Sequence, residues 1–333
     1  MVTHRWNSAR AVALTAALGL LGSLAAGCGP KDPGSAGEGD GGAGDPAAAK
    51  LAVYTSCFPV SFLAERVAGE RATVTLILPA GEDPPDWSPP GDTIAAMQRA
   101  DLIVINGAGF EGWLGTTTLP ESKLVDTTAS LGDRLIELEE TTHSHGKDGD
   151  HSHKGTDPHV WADPELAVAQ AENIHLALAK ADPAHADDYR QNFETLRDEL
   201  TRLDQELKVA VDGYDGEVLA ASHPAFNYMA RRYGLQLRNF GFEPDALPAD
   251  EALAAFTQQL GEHGIRRMLW EAQPSDEVRS KFEETGVEVL YLDPLEQPRG
   301  DAGYDYLAQA RANAERLKLM FPVVSEESAG DGG

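Results

Sequence analysis

The sequence is short of cysteines, of cations and of long apolar runs, and each shortage removes a class of function. Only two cysteines occur, Cys28 and Cys57. Cys28 ends an N-terminal leader, so Cys57 alone remains in the body and no internal disulfide framework can form. It follows the first predicted strand and reads as a small buried hydrophobe. Lysine and arginine number 27 against 54 aspartates and glutamates, a formal net charge of −27. Nucleic acid needs a basic surface and is excluded as a partner. A negative field concentrates cations near a protein, and it also keeps an exported chain soluble. No HExxH or GxSxG stretch is present, so the usual hydrolase signatures are missing. The longest apolar run, residues 11–24, is too short and too rich in glycine and alanine for a membrane span.

That run instead belongs to a targeting segment. Arg5 and Arg10 precede it and Ala25-Ala26-Gly27-Cys28 follows, which describes a secretory signal over residues 1–27. The stretch LAAGC resembles a bacterial lipobox, whose cysteine carries lipid after cleavage. Cys28 is thus the expected membrane anchor, with an ordinary signal peptide as the alternative. Residues 29–49 contain no aromatic or branched aliphatic side chain, so 28–49 reads as a flexible tether. Residues 325–333 read the same way. About 275 residues remain, enough for two lobes of roughly 100–150 each.

The body is predicted to be α/β. LAVYT (51–55) and TVTLIL (73–78) flank an amphipathic stretch, a strand–helix–strand pattern. DLIVIN (101–106) is a continuous apolar strand, as a parallel sheet buried on both faces requires. Asp163-Pro164 opens a helix with a cap residue followed by proline. Tyr189, Phe193, Leu196, Leu200, Leu203, Leu207 and Val211 recur every three or four residues and make one stripe along a helix of about seven turns. The α/β pattern then restarts with EVLAA (217–221), LQLRN (235–239), RRMLW (266–270) and VEVLYL (287–292). The organisation is an N-terminal lobe over 50–182, a linking helix over 183–213 and a C-terminal lobe over 214–324, with the crevice between the lobes as the ligand site.

Three motifs carry the chemistry: DPHVWADP (157–164), SHPAFNYMARRYGL (222–235) and LYLDPL (290–295). Each sets one metal-ligating side chain, His159, His223 or Asp293, at a strand end or a loop-to-helix turn, where an α/β sheet presents its binding groups. Two imidazoles and a carboxylate suit a borderline divalent cation such as Zn²⁺. Trp87, Trp113, Trp161 and Trp270 lie near these segments and read as walls or core. Glu271 and Glu243 are candidates for orienting a ligand histidine.

Those motifs resemble signatures of the zinc/manganese solute-binding proteins of bacterial ABC importers, from about residue 50 to residue 322. The resemblance implies two Rossmann-like lobes on one rigid linking helix, Zn²⁺ (alternatively Mn²⁺) in the cleft, a monomer, and an ABC permease as partner. It also implies a fourth ligand, a histidine after the second strand. Here that stretch reads GEDPPDWSPP (81–90), and Pro85 stands at the histidine's place. Asp86 and Glu82 are the neighbouring carboxylates that can complete the site. A second source is THSHGKDGDHSHKG (142–155), whose His143, His145, His151 and His153 lie in a polar, apolar-free loop.

The function expected is extracytoplasmic zinc binding and delivery to an importer, on the periplasmic or cell-surface side, with no bond made or broken. Two alternatives keep the same residues. One is a zinc hydrolase using an open coordination position, with Asp86 as base. The other is metal buffering or adhesion on the same fold.

Overall fold

The computed structural model describes residues 50–323 except 83, 85, 86, 145–149, 245 and 299–302, with the backbone alone for 139–144 and 150–154. The chain begins with β1 (Leu51–Thr55), α1 (Phe58–Ala68), β2 (Ala72–Leu76), α2 (Gly91–Arg99), β3 (Leu102–Ile105) and β4 (Leu124–Asp126). These four strands form a parallel sheet in the order β2-β1-β3-β4. β3 is buried at every position, which is why its sequence is apolar without alternation. A hairpin of β5 (Glu137–Ser144) and β6 (Asp150–Thr156) leads to α3 (Pro164–Ala181) and then α4 (Ala186–Ala210).

A second sheet follows from β7 (Val218–Ala221), α5 (Asn227–Tyr233), β8 (Gln236–Asn239), α6 (Asp250–His263), β9 (Arg267–Trp270), α7 (Asp276–Glu283) and β10 (Glu288–Tyr291). Its parallel order is β10-β9-β7-β8, and α8 (Tyr306–Met320) closes the described chain. In both sheets the first strand sits centrally, with the second on one side and the third on the other. The carboxyl ends of β1 and β3, and of β7 and β9, therefore border topological switch points, where such sheets bind ligands.

The predicted stripe makes α4 the spine. Tyr189, Phe193, Leu196, Leu200, Leu203 and Leu207 are all buried along it. The helix packs on α1 and α3 of the first lobe and on α8. One hydrophobic core runs through these contacts and takes in Val53 and Leu63 as well as Leu219, Leu269 and Leu317. Arg232 of α5 adds polar links, with ion pairs to Asp204 of α4, to Glu165 of α3 and to the α3 cap Asp163. That cap is formed as its sequence predicts, its carboxylate accepting from the N–H groups of Glu165 and Leu166.

Two features depart from the sequence reading. β4 is a three-residue edge strand, too short to leave a pattern. The histidine-rich segment read as a loop contributes most of its backbone to hairpin arms, with His143 paired to His151 and Thr141 to His153. Its residues have no apolar alternation that would mark strands, so only the backbone pairing identifies them. Among the described residues no helix is long and apolar enough to cross a membrane.

Candidate metal centre

The strand ends bring two of the three motif residues together. His223 directly follows β7 and Ser222, and Pro224 opens a 3₁₀ turn that runs into α5. His159 precedes another 3₁₀ turn, Val160–Ala162, ahead of α3. It does not follow a sheet strand, yet its loop is drawn over the first switch point: Asn106, just after β3, donates from Nδ2 to the Pro158 carbonyl at 2.9 Å. Asn106 is itself held, since Gln170 Nε2 donates to its Oδ1 and its N–H donates to Glu111 Oε1. The His159 and His223 rings meet edge to face, with centroids 5.5 Å apart.

His159 is 4% exposed and its environment is specific. Asp157 Oδ1 lies 2.8 Å from its Nδ1 and also accepts its backbone N–H at 2.9 Å. A neutral imidazole donating Nδ1–H to this carboxylate leaves Nε2 as the free acceptor, the arrangement a metal-ligating histidine requires. Burial alone would pull the pKa of His159 down. The hydrogen bond and charge of Asp157, with the charges of Glu296 and Glu271, outweigh that and raise it. Trp161 packs edge-on against the ring at 5.3 Å, and its indole N–H donates to the Pro294 carbonyl at 2.9 Å. The third motif is thereby pinned to the first.

Asp293 is buried at the end of that third motif, but its carboxylate serves its own loop. Oδ2 accepts the Tyr291 hydroxyl and Oδ1 accepts the Leu295 N–H. The Asn313 amide brackets its backbone on both sides. Leu295 has φ +61°, a left-handed conformation that is costly for a leucine. Among the described residues only Ala108, which packs beside Val160, shares that conformation without being glycine.

The other candidates fall in different places. Glu271 is buried at the end of β9, its N–H donating to Ser222 Oγ, and its charge is felt at His159. Glu243 and Glu82 are exposed. Trp87 packs in a small core with Met97 and Trp113. Cys57 is fully buried, and burial pushes its thiol far up, so it stays a neutral thiol rather than a metal-binding thiolate. Cys28, Pro85, Asp86 and His145 lie outside the described residues, and His143, His151 and His153 are described by backbone only. Among the described residues no three His, Cys, Asp or Glu side chains are gathered into a ready-made cage. Asp157, Glu296 and Asn227 were missed from sequence. The Asp-x-His spacing of DPHVWADP was the available signal for the first, and nothing local marks Asn227.

A model of the family described as ZnuA, zinc-uptake complex component A, periplasmic, matches residues 53–319. The chain is 30% identical over 295 residues to the zinc-binding protein AdcA of Streptococcus pyogenes, covering 84% of this chain and 57% of that protein. It therefore spans little more than half the length of the first curated relatives it matches. The high-affinity zinc uptake system protein ZnuA of Bacillus subtilis is 29% identical over 293 residues, covering 85% of this chain and 92% of that one. Among solved structures, the Zn(II)-bound ZnuA-like domain of Streptococcus pneumoniae AdcA aligns with a TM-score of 0.69 at 27% identity, covering 82% of this chain and 99% of that one.

Proposed function

Because the chain belongs to the ZnuA zinc-uptake family, we propose that it captures a zinc ion outside the cytoplasm and passes it to an ABC permease. The observation that carries this is the pair of histidine rings 5.5 Å apart, contributed by two separate α/β lobes. Two imidazoles sharing a tetrahedral zinc, with Zn–N of 2.0–2.1 Å, place their ring centroids roughly 5 Å apart. The spacing is thus close to what zinc demands before any ion is added. Asp157 supports the same reading, since it supplies the outer acceptor that fixes a ligating imidazole.

His159 and His223 are the imidazole ligands of this proposal and Asp293 its carboxylate. Glu271, the candidate for orienting a ligand histidine, and Glu296 both act on His159 through their charge, which favours a cation beside it. With Pro85 in place of a histidine, the remaining corner falls to Asp86, Glu82 or the histidine-rich hairpin. In that hairpin the backbone of His143 pairs with that of His151, and Thr141 with His153. Imidazole-rich coordination favours zinc; Mn²⁺ is the alternative if carboxylates dominate. Cys28 is the lipid anchor, on the periplasmic or cell-surface side, and the protein works as a monomer without making or breaking bonds.

Thermal unfolding tests the reading. Zinc at about 100 times its Kd adds roughly 2.7 kcal/mol to the folded state and raises Tm accordingly. His159→Ala and His223→Ala should each remove most of that rise. A full rise retained in both variants sinks the assignment.

A further inference from the structure

A chain of hydrogen bonds joins the second lobe to His159, and the metal-site reading does not use it. Asn227 is the first residue of α5, four positions after His223. Its Nδ2 donates to Asp157 Oδ2 at 2.8 Å, on the oxygen opposite the one that holds His159. Its Oδ1 accepts from Asn239 Nδ2 at 2.8 Å, at the end of β8. An ionised carboxylate can only accept, so the amide of Asn227 must present an N–H to Asp157. Tyr228, the next residue and wholly buried, donates its hydroxyl to the Asp157 carbonyl at 2.8 Å and accepts the Ile136 N–H at 3.0 Å. Two adjacent side chains of one helix thus hold both the carboxylate and the backbone of Asp157.

We infer that Asn227 is a positioning residue for metal capture, a staple that sets the tautomer and aim of His159 by holding Asp157. The inference rests on the zinc-site reading for its consequence but not for its geometry. The staple lies four residues from one histidine and two from the other, so it sets the separation of two loops that are 64 residues apart in sequence, at positions 159 and 223. A carboxylate held at one oxygen alone can turn about its Cβ–Cγ bond, and Asn227 adds the restraint on the other oxygen. His159 Nδ1 then faces a fixed acceptor, and Nε2 is pre-aimed at the ion with no reorganisation on binding. Loss of an outer-shell partner of this kind lowers metal affinity by about 10–100-fold.

The test uses the full chain and two readouts. In the zinc-free protein, long-range ¹H–¹⁵N correlation of the histidine rings, at a pH where they are neutral, should show His159 as the Nδ1–H tautomer. Asn227→Ala should mix the tautomers and weaken zinc about tenfold in chelator competition. Asn227→Asp, which sets a second carboxylate against Asp157, should weaken it further. In an Asp157→Asn background, Asn227→Ala should add little, because it acts through that carboxylate. Asn239→Ala, at an exposed position, gives the same tautomer shift in weaker form should Asn227→Ala fold poorly. An unchanged tautomer in these variants overturns the staple, as does full additivity with Asp157→Asn. A tautomer shift in a protein that binds no zinc even as wild type would leave the staple standing and sink the zinc reading.

Discussion

Glu111 offers the sharpest test of the electrostatics beneath the site. It is 5% exposed, and its carboxylate accepts the Ser56 hydroxyl at 2.5 Å, the Asn106 N–H at 2.7 Å and the Gly107 N–H at 3.1 Å. Burial opposes ionisation more strongly than these donors favour it, and the pKa rises from 4.5 to about 7. A raised carboxyl pKa means that the folded state holds its proton longer than the unfolded chain does. The associated stability is complete below pH 4.5 and is lost as the pH climbs through about 7. A shift of that size corresponds to about 3 kcal/mol at 1.36 kcal/mol per unit. Glu111→Gln removes the titration while keeping an acceptor oxygen for Ser56 and Asn106. Urea unfolding of zinc-free wild type and variant, at intervals from pH 4.5 to 8.5, isolates the effect. Wild type should lose about 3 kcal/mol relative to the variant across that range, most of it between pH 5 and 7, and then level off. Parallel stability curves would refute the reasoning, because they would mean Glu111 ionises as freely folded as unfolded.

Two further outcomes concern segments outside the core. Cys28→Ser should move the protein from the membrane to the soluble fraction, since the acyl chains supply the anchoring; a variant that still pellets with membranes contradicts it. Deleting residues 143–153 should weaken the first zinc equivalent or abolish weaker additional ones in chelator competition. If the deletion changes neither and Asp86→Ala weakens binding, the carboxylate completes the site.

What was legible in the sequence follows from how each feature is encoded. The α4 stripe was readable because burial on one helical face forces a spacing of three and four. His223 was singled out because strand ends are where α/β folds present binding groups, whereas His159 sits at a loop-to-helix turn and was singled out by its motif. Asp157 was passed over in favour of Glu271 and Glu243, although it stands two residues from His159. The contacts of Asn227 and Tyr228 with Asp157 span 70 residues or more, and hydrogen bonds over that distance leave no local periodicity. The role of Asp293 was read from its position alone, whereas its carboxylate accepts from Tyr291 and Leu295 of its own loop. The hairpin went unseen because polar strands carry no alternating pattern.

The shared core along α4 also limits how an ion can leave. Freeing α4 from the core it shares with α1, α3 and α8 would expose six large side chains that the fold buries together. At roughly 1.5–3 kcal/mol each, that amounts to on the order of 10 kcal/mol, comparable to the entire stability of an ordinary domain. Spontaneous gaping on that scale is rare. On the proposed function, an ion would leave by excursions of the loops at 158–163, 222–226 and 293–298, and a partner that speeds release would act on those loops rather than on a hinge.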